Sequence, residues 1–377
     1  MEDKSLGTEW DAEIAEEEAD RQRKAEPAPI LSKEEFVKWR SPRTVEENPT
    51  CVSNPLWYWL VRTRWSAYQA NEILRGPSSF DAGPMWCFDR FGKSETRLPD
   101  GRVVHIGGEH EDSYDPDFFI YNDVTTIGAD GGIAIHGYPP SVFPPTDFHT
   151  ATLVGNLILV IGNLGYPEHR VVGSTPVFRV AIDTLSIDRV DTIGEAPGWI
   201  HEHSAVLSDD ASAIVVRGGV IWRGDGLSMI ENIDSWSLDL GTGRWTRLTA
   251  LDWQRWTMLR IDRKANRLWD VRQELWHRDH VWPGHESYWK FDDAPDFDAL
   301  AALYRLDEDS PTPHEGSEYN IFHTVIDGLE VRFTEDRFHV QVVVEGRLSE
   351  DRLKALQRTL LTTLERLDAS RWEIEGQ

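Results

Sequence analysis

With 377 residues and a formal charge of −26, the chain has room for two or three domains and a surface that repels phosphate backbones and anionic headgroups, so neither nucleic acid nor a membrane surface is an expected partner. A composition that is 40% apolar and 11% aromatic, with 17 Trp, excludes a disordered regulator and suits many small packed layers. Cys51 and Cys87 make no disulfide framework and no CxxC pair, no apolar run reaches a membrane span, and the first residues have no basic and apolar leader, so a soluble cytoplasmic protein is expected.

Residues 1–31 are mixed in charge and Glu-rich, and read as a flexible acidic arm. Residues 32–85 read as a helical cap. Ser32 is placed to N-cap a short helix from Lys33 to Trp39, with Glu34 and Glu35 in its first turn. Asn54 and Pro55 then open a helix predicted over Leu56 to Leu74 and closed by Gly76-Pro77. Trp57, Leu60, Val61, Trp65, Tyr68 and Ile73 recur on it at helical spacing, a stripe that suits packing against the β body that follows.

From Trp86 the pattern is β and it repeats. The leading glycine of each repeat is Gly107, Gly162 and Gly218, at spacings of 162 − 107 = 55 and 218 − 162 = 56. In each, a strand runs through a short turn (Asp100-Gly101, Gly155-Asn156, Asp209-Asp210) into a second apolar strand. That strand ends in Gly107-Gly108, Gly162-Asn163 or Gly218-Gly219, and a long loop with two further strands follows. Trp245 anchors the fourth strand of the third repeat, and Ile133 and Ile187 fall near the same place in the others. Four short antiparallel strands in roughly fifty residues is the period of a propeller blade. A worn fourth repeat is read in WTMLRI, a turn at Lys264 to Asn266, and RLWDV, with Gln273 where glycine is expected. Residues 294–306 look helical.

These motifs carry a resemblance. His-Thr/Ser-Ala, a turn, an apolar strand, Gly-Gly and a downstream Trp look like the kelch repeat, well over residues 86–250 and weakly over 251–306. The resemblance implies a mainly β fold: a kelch-like β-propeller over 86–310 with four recognisable blades, an N-terminal helical segment and a small C-terminal α+β module. It also implies that the glycine pair ends the second strand without a Cβ clash, that His149 and His203 hydrogen-bond within their blades, and that the loops gather on one face and bind partners.

The C-terminal residues 318–377 read as a βββαβ module. Strands Tyr319 to Ile326, Leu329 to Thr334 and Phe338 to Val344 form a meander with an Asp327-Gly328 hairpin turn. Ser349 caps a helix with Leu353, Leu356, Leu360, Leu364 and Leu367 on one face, and Trp372 to Glu375 return as a strand. Because Phe322-His323-Thr324 echoes Phe148-His149-Thr150, a fifth blade over 319–334 stays open as an alternative.

No GxSxG, GxxxxGK[ST], HExxH or Rossmann fingerprint occurs. The long polar loops carry the chemistry instead. They place Glu109, His110, Glu111, Asp112, Tyr114, Tyr138, His169, Trp199, His201, Trp222, Arg223 and Trp282 on an expected binding face, an acidic and aromatic mixture that resembles an interface. The first expectation is a protein-binding adaptor or inhibitor, including the immunity type, with a basic protein as partner and no cofactor. The alternative is a propeller enzyme, lyase or hydrolase-like, using His and carboxylate groups of the same face, with His277, His280 and His285 as weak metal candidates. An enzyme needs convergent acids and imidazoles, whereas a binder needs a broad exposed patch. The loop Glu109 to Asp117 has no counterpart in the other repeats and is the first place to look.

Overall fold

Ala, Glu and Arg lose little rotamer freedom in a helix, and Ser5–Lys24 form one (α1) where a flexible arm is expected. Asp20 pairs with Arg23 at 3.1 Å and Lys24 at 2.8 Å within its last turns. The computed structural model describes residues 5–112, 115–267, 269–270, 314–315 and 321–375. They divide into two units, Met1–Asp225 with Met229–Thr249, and Gly226–Ser228 with Ala250–Gln377. Among the described residues no helix is long and apolar enough to cross a membrane.

In the first unit, α2 (Lys33–Trp39) carries the expected cap as a full box: Ser32 Oγ accepts from Glu35 N, and Glu35 Oε2 accepts from Ser32 N. Strand β1 (Thr50–Cys51) follows. The single helix expected next is two. Asn54 caps α3 (Pro55–Thr63), which ends at Arg64 with φ 55°, and Ser66 caps α4 (Ala67–Ile73) by accepting from Gln69 N. The hydroxyl of Ser66 offers the chain a fresh N-terminus, which the apolar stripe alone did not reveal. A last turn, α5 (Ser79–Ala82), leads to the β body.

The first repeat forms β2 (Ser94–Arg97), β3 (Val103–Ile106), an inserted hairpin β4 (Glu109–Asp112) and β5 (Asp115–Ile120), then β6 (Val124–Ile127) and β7 (Ile133–Gly137). The second forms β8 (Thr150–Val154), β9 (Leu157–Ile161), β10 (Val177–Ala181) and β11 (Ile187–Arg189). After β12 (Ile193–Gly194) and β13 (Trp199–His201), the third forms β14 (Ser204–Leu207), β15 (Ala213–Arg217), β16 (Val220–Trp222), β17 (Ile230–Glu231), β18 (Trp236–Asp239) and β19 (Arg244–Arg247). Short turns permit only antiparallel neighbours, and each repeat yields the same meander: β2-β3-β6-β7, β8-β9-β10-β11 and β14-β15-β18-β19. The unit is mainly β, as expected. The outer edges are covered: β1 pairs with β7, β12 lies parallel on β19, and Asn48 brackets Ile187 of β11 through Nδ2 to O at 2.8 Å and Oδ1 from N at 3.0 Å.

The sheets layer in chain order. Val104, Ile106 and Val124 of the first pack with Ile158, Val160 and Phe178 of the second. Leu159, Ile161 and Val177 on the second sheet's other face pack with Ile214, Val216, Trp236 and Trp245 of the third. The helices cover the remaining apolar face of the first sheet, where Trp57 stacks on Trp86 with ring centroids 4.5 Å apart. Two devices lock neighbours together. His149 Nε2 lies 2.8 Å from Ser94 Oγ and His203 Nε2 lies 3.0 Å from Thr150 Oγ1, so these histidines tie adjacent sheets rather than bonding within one blade as expected. Burial, with a neighbouring histidine, pushes them down to about 3 and about 4, so both are neutral. The second device is the glycine: a Cβ on Gly107 would sit on the Thr146 carbonyl oxygen, and one on Gly162 on that of Ile200.

The second unit corrects two expectations. WTMLRI is β20 (Gln254–Arg260), and it does not begin a fourth blade. With β21 (His314–Glu315), β22 (Ile321–Ile326), β23 (Leu329–Glu335), β24 (His339–Val344) and β25 (Trp372–Ile374) it forms one six-stranded sheet, ordered β21-β22-β23-β24-β20-β25. Its unbroken buried run from Trp256 to Arg260 belongs to an inner strand, which alternation-based reading mistakes for a blade edge. Arg267, Trp269 and Asp270, read as the next strand, have helical backbone. The 319–334 hairpin likewise belongs to this sheet through β22 and β23, not to a separate blade. Ser349 caps α6 (Glu350–Asp368), whose Leu356, Leu360 and Leu364 pack with Met258, Val331, Phe333 and Val342. β22, β23, β24, α6 and β25 follow one another in chain order, and besides Gly226–Ser228 the unit takes in the chain from Ala250.

Candidate functional site

The unrepeated loop is largely the β4–β5 hairpin, hung on the strand end that the glycine pair creates. Glu109 N donates to Phe91 O and Phe91 N donates to Glu109 O, fixing Glu109 at the hairpin's root. The partner that sequence reading missed is Asp147. It lies two residues before the repeat histidine His149 and is fully buried. Asn163 builds its seat: Oδ1 accepts from Asp147 N at 2.9 Å and Nδ2 donates to Pro145 O at 3.0 Å. The Gly-Asn departure from Gly-Gly was therefore the available signal, since a second glycine could make neither bond.

Asp147 Oδ1 accepts from Gly165 N at 2.6 Å, and its backbone oxygen accepts from Leu164 N at 3.1 Å. Asp147 Oδ2 meets no N–H or hydroxyl donor. The Glu109 and Asp147 carboxyls lie near enough for each to act on the other's ionisation. Neighbouring carboxyls oppose each other's ionisation, which favours one proton between them. Burial, then the Asp147 charge, pushes Glu109 up to about 7. Burial also raises Asp147, against the Gly165 amide, the Glu109 carboxyl and the Arg170 charge, which favour its ionised form. Glu109 thus carries the proton and is half-buried, open to a ligand, while Asp147 is the inner carboxylate.

Tyr166 Oη accepts from Ile120 N at 2.9 Å, leaving its own O–H to donate, and its ring meets Phe118 and His169 edge-on. Burial and the Asp147, Glu168 and Glu109 charges hold it protonated. Arg170 lies close enough to Asp147 and His201 for its charge to act on both, and its guanidinium sits 6.0 Å over the Trp222 ring. His201 occupies in the third repeat the position that Asp147 has in the second, two residues before the repeat histidine. It is buried, its Nε2 is 3.4 Å from Met229 Sδ, and burial with the Arg170 charge pushes it down to about 4, so it is a neutral imidazole.

The expected face is only partly brought together. Glu109, His201 and Trp222 join the Asp147–Arg170 cluster, and His169 is exposed at its margin. Trp199 is buried and donates through Nε1 to Leu164 O at 3.0 Å, a supporting contact rather than surface. Glu111 is exposed, Arg223 is half-buried, and Asp112 pairs with Asp115 across the hairpin. Tyr138 does not belong to a binding face: it is fully buried and its O–H donates to Leu185 O at 2.7 Å. His110 is also withdrawn from any ligand. Its Nε2 is 3.2 Å from Asp117 Oδ2, an ion-pair distance, and its Nδ1 is 3.2 Å from Asp89 O, an acceptor, which suits an imidazolium ring. Burial opposes that charge, but the bonds to Asp117 and Cys87 outweigh it and raise His110 to about 11. Tyr114, Trp282, His277, His280 and His285 lie outside the described residues, and among the described ones no three His, Cys, Asp or Glu side chains are grouped to hold a metal.

The buried imidazolium has a stability signature. A group whose folded pKa is raised contributes fully below its unfolded value, near 6.5, and that contribution fades as pH climbs toward the folded value of about 11. His110→Gln is therefore expected to be most damaging near pH 6, with the gap to wild type narrowing steadily to pH 10. Urea midpoints across that range measure it, and a gap that widens with pH would contradict the ion pair.

No protein-family model matches the chain, and no curated protein does. Among solved structures, one described as the structure of YjhT aligns over 44% of this chain and 72% of that one, at 12% identity and a TM-score of 0.28. A likeness at that level carries no argument about fold or function.

Proposed function

We propose that the three layered sheets are kelch-like blades of a β-propeller scaffold, and that the scaffold carries an acid–base site for a small, oxygen-rich molecule. The repeated four-strand order, the glycines pressed on a neighbouring carbonyl and the histidine ties between sheets support the first part. The observation that carries the second is the juxtaposition of a half-buried Glu109 with a fully buried Asp147 whose Oδ1 is held by the Gly165 amide, an arrangement suited to one proton between them. An acid poised near neutral pH is suited to give and take a proton in one catalytic cycle. Glu109 would give its proton to a ligand oxygen and, once ionised, take one back from a ligand hydroxyl or water, with Asp147 as the inner carboxylate of the pair and the Tyr166 O–H orienting the oxygen. Burial of Tyr138, Trp199 and Trp222 removes aromatic surface that a protein-binding face would need, and counts against the adaptor or inhibitor reading.

The test is a screen of small hydroxylated and carbonyl compounds by ligand-observed NMR, first on the wild type and then on Glu109→Gln. The expected result is a ligand whose turnover follows an ionisation near pH 7 and falls by roughly 10²- to 10⁴-fold in the variant. A turnover unchanged in Glu109→Gln, or flat from pH 5 to 9, would overturn the assignment.

A further inference from the structure

Among the described residues Arg170 is the cation whose charge acts on Asp147, yet it makes no direct bond to either carboxyl among the described contacts. It spends its donors on backbone: Nε donates to Leu164 O at 2.9 Å and Nη2 to Gly165 O at 2.9 Å. The same two residues turn their amides the other way, Leu164 N to Asp147 O at 3.1 Å and Gly165 N to Asp147 Oδ1 at 2.6 Å. One guanidinium therefore grips the carbonyl side of a two-residue turn whose amide side holds Asp147. Trp199 Nε1 shares the Leu164 carbonyl with the guanidinium at 3.0 Å, whereas the Gly165 carbonyl is held by Arg170, and Gly165 has φ +63°, a conformation open to a residue without Cβ.

We propose that Arg170 is a positioning residue for the carboxyl pair, acting through the Leu164–Gly165 turn to keep the Gly165 amide on Asp147 Oδ1, and so keeping Asp147 as the base and Glu109 as the acid. This rests on the acid–base reading of the site. Its chemical content is the direction of the pair. Asp147 is buried and Oδ2 has no hydrogen-bond donor, so among the described contacts the Gly165 amide on Oδ1 is the side-chain carboxylate's fixed donor and stabilises its charged form. If the turn swings, that donor leaves, the buried Asp147 takes the proton, and Glu109, the half-buried partner, becomes the carboxylate. The pair would then face the ligand with a base where an acid is needed. Lysine keeps the charge but cannot present two donors in a fixed fork to adjacent carbonyls. Arg170→Lys therefore separates grip from charge.

The experiment is a pH titration, from 4 to 9, of the full chain labelled with ¹³C at Asp and Glu carboxyls, on wild type, Arg170→Lys and Arg170→Gln. In the wild type the near-neutral midpoint belongs to Glu109. In both variants it is expected to pass to Asp147, with the Glu109 midpoint falling by about one pH unit or more toward the ordinary glutamate range. Gly165→Ala, whose Cβ presses on the Asn163 side chain and disturbs the same turn without touching the guanidinium, is expected to produce the same exchange and covers the case in which Arg170→Gln does not fold. If Arg170→Lys titrates like wild type, the residue acts by charge or merely as structure, and the proposal is overturned. If Glu109 titrates as an ordinary glutamate in the wild type itself, the shared-proton reading falls and this inference falls with it. A wild type with the near-neutral Glu109 and an unchanged Arg170→Lys sinks only the positioning role.

Discussion

Gly107→Ala is expected to destabilise the first unit by about 3 to 5 kcal/mol, from left-handed strain of 1–2 kcal/mol and from overpacking against backbone that cannot yield cheaply. Gly107 has φ 59°, and a Cβ there lands on the Thr146 carbonyl oxygen. That oxygen is also the acceptor for Gly108 N, and Gly107 N donates to Asp123 O, so moving the end of β3 or the β7–β8 connection that carries Thr146 breaks these bonds. Gly218 is the control. It occupies the same repeat position with nearly the same φ, 61°, but a Cβ added to it meets nothing within 4 Å. Gly218→Ala should therefore cost only the backbone strain, about 1–2 kcal/mol. Urea unfolding of the two variants, followed by Trp fluorescence, measures the difference. Equal losses would mean that the repeated glycine serves conformation alone and that the neighbouring sheet's approach is immaterial.

The contrast explains what sequence could and could not convey. A glycine at 107, 162 and 218 announces a repeat, and the strand order followed correctly from it, because turns and apolar alternation are local. Which of those glycines bears a neighbour's backbone depends on what packs next, and no residue near Gly218 encodes that. WTMLRI was misassigned for the same reason. Its apolar text fits a blade strand or an inner strand equally well, and the partners that decide, His339–Val344 and Trp372–Ile374, are about eighty or more residues away. The site divides similarly. Glu109 was legible because its loop breaks the repeat. Asp147 was not, since it is one acidic residue beside a repeat motif, and its significance lies in Asn163 and Gly165 folding back on it. The histidines misled: a ring among carboxylates reads as a ligand, but His110 with Asp117 is an ion pair spent on holding the hairpin root to the 87–91 segment.

Loss of Arg90 should be the other severe change. Its Nη1 is 2.6 Å from Asp123 Oδ1 and its Nη2 is 3.0 Å from Asp123 Oδ2, and both side chains are largely buried. The guanidinium also lies 3.4 Å over the Tyr121 ring centroid and bonds the carbonyls of Cys87 and Gly107. Arg90→Met keeps the stem's volume but leaves Asp123 with Trp86 Nε1, at 2.7 Å, as its remaining side-chain donor. An uncompensated buried carboxylate of this kind typically costs 3–5 kcal/mol, roughly. The carboxylate, more than the lost cation, is the source of that penalty, and a second substitution tests it. Arg90→Met combined with Asp123→Leu removes the orphaned charge, and the double variant is expected to recover a large part of the loss of the single one. Urea midpoints of the two single variants and the double close the cycle. If the double variant is simply the sum of the singles, the ion pair is not the unit that holds the first sheet's glycine corner to Trp86, and the stacking of Arg90 on Tyr121 is the stronger contact.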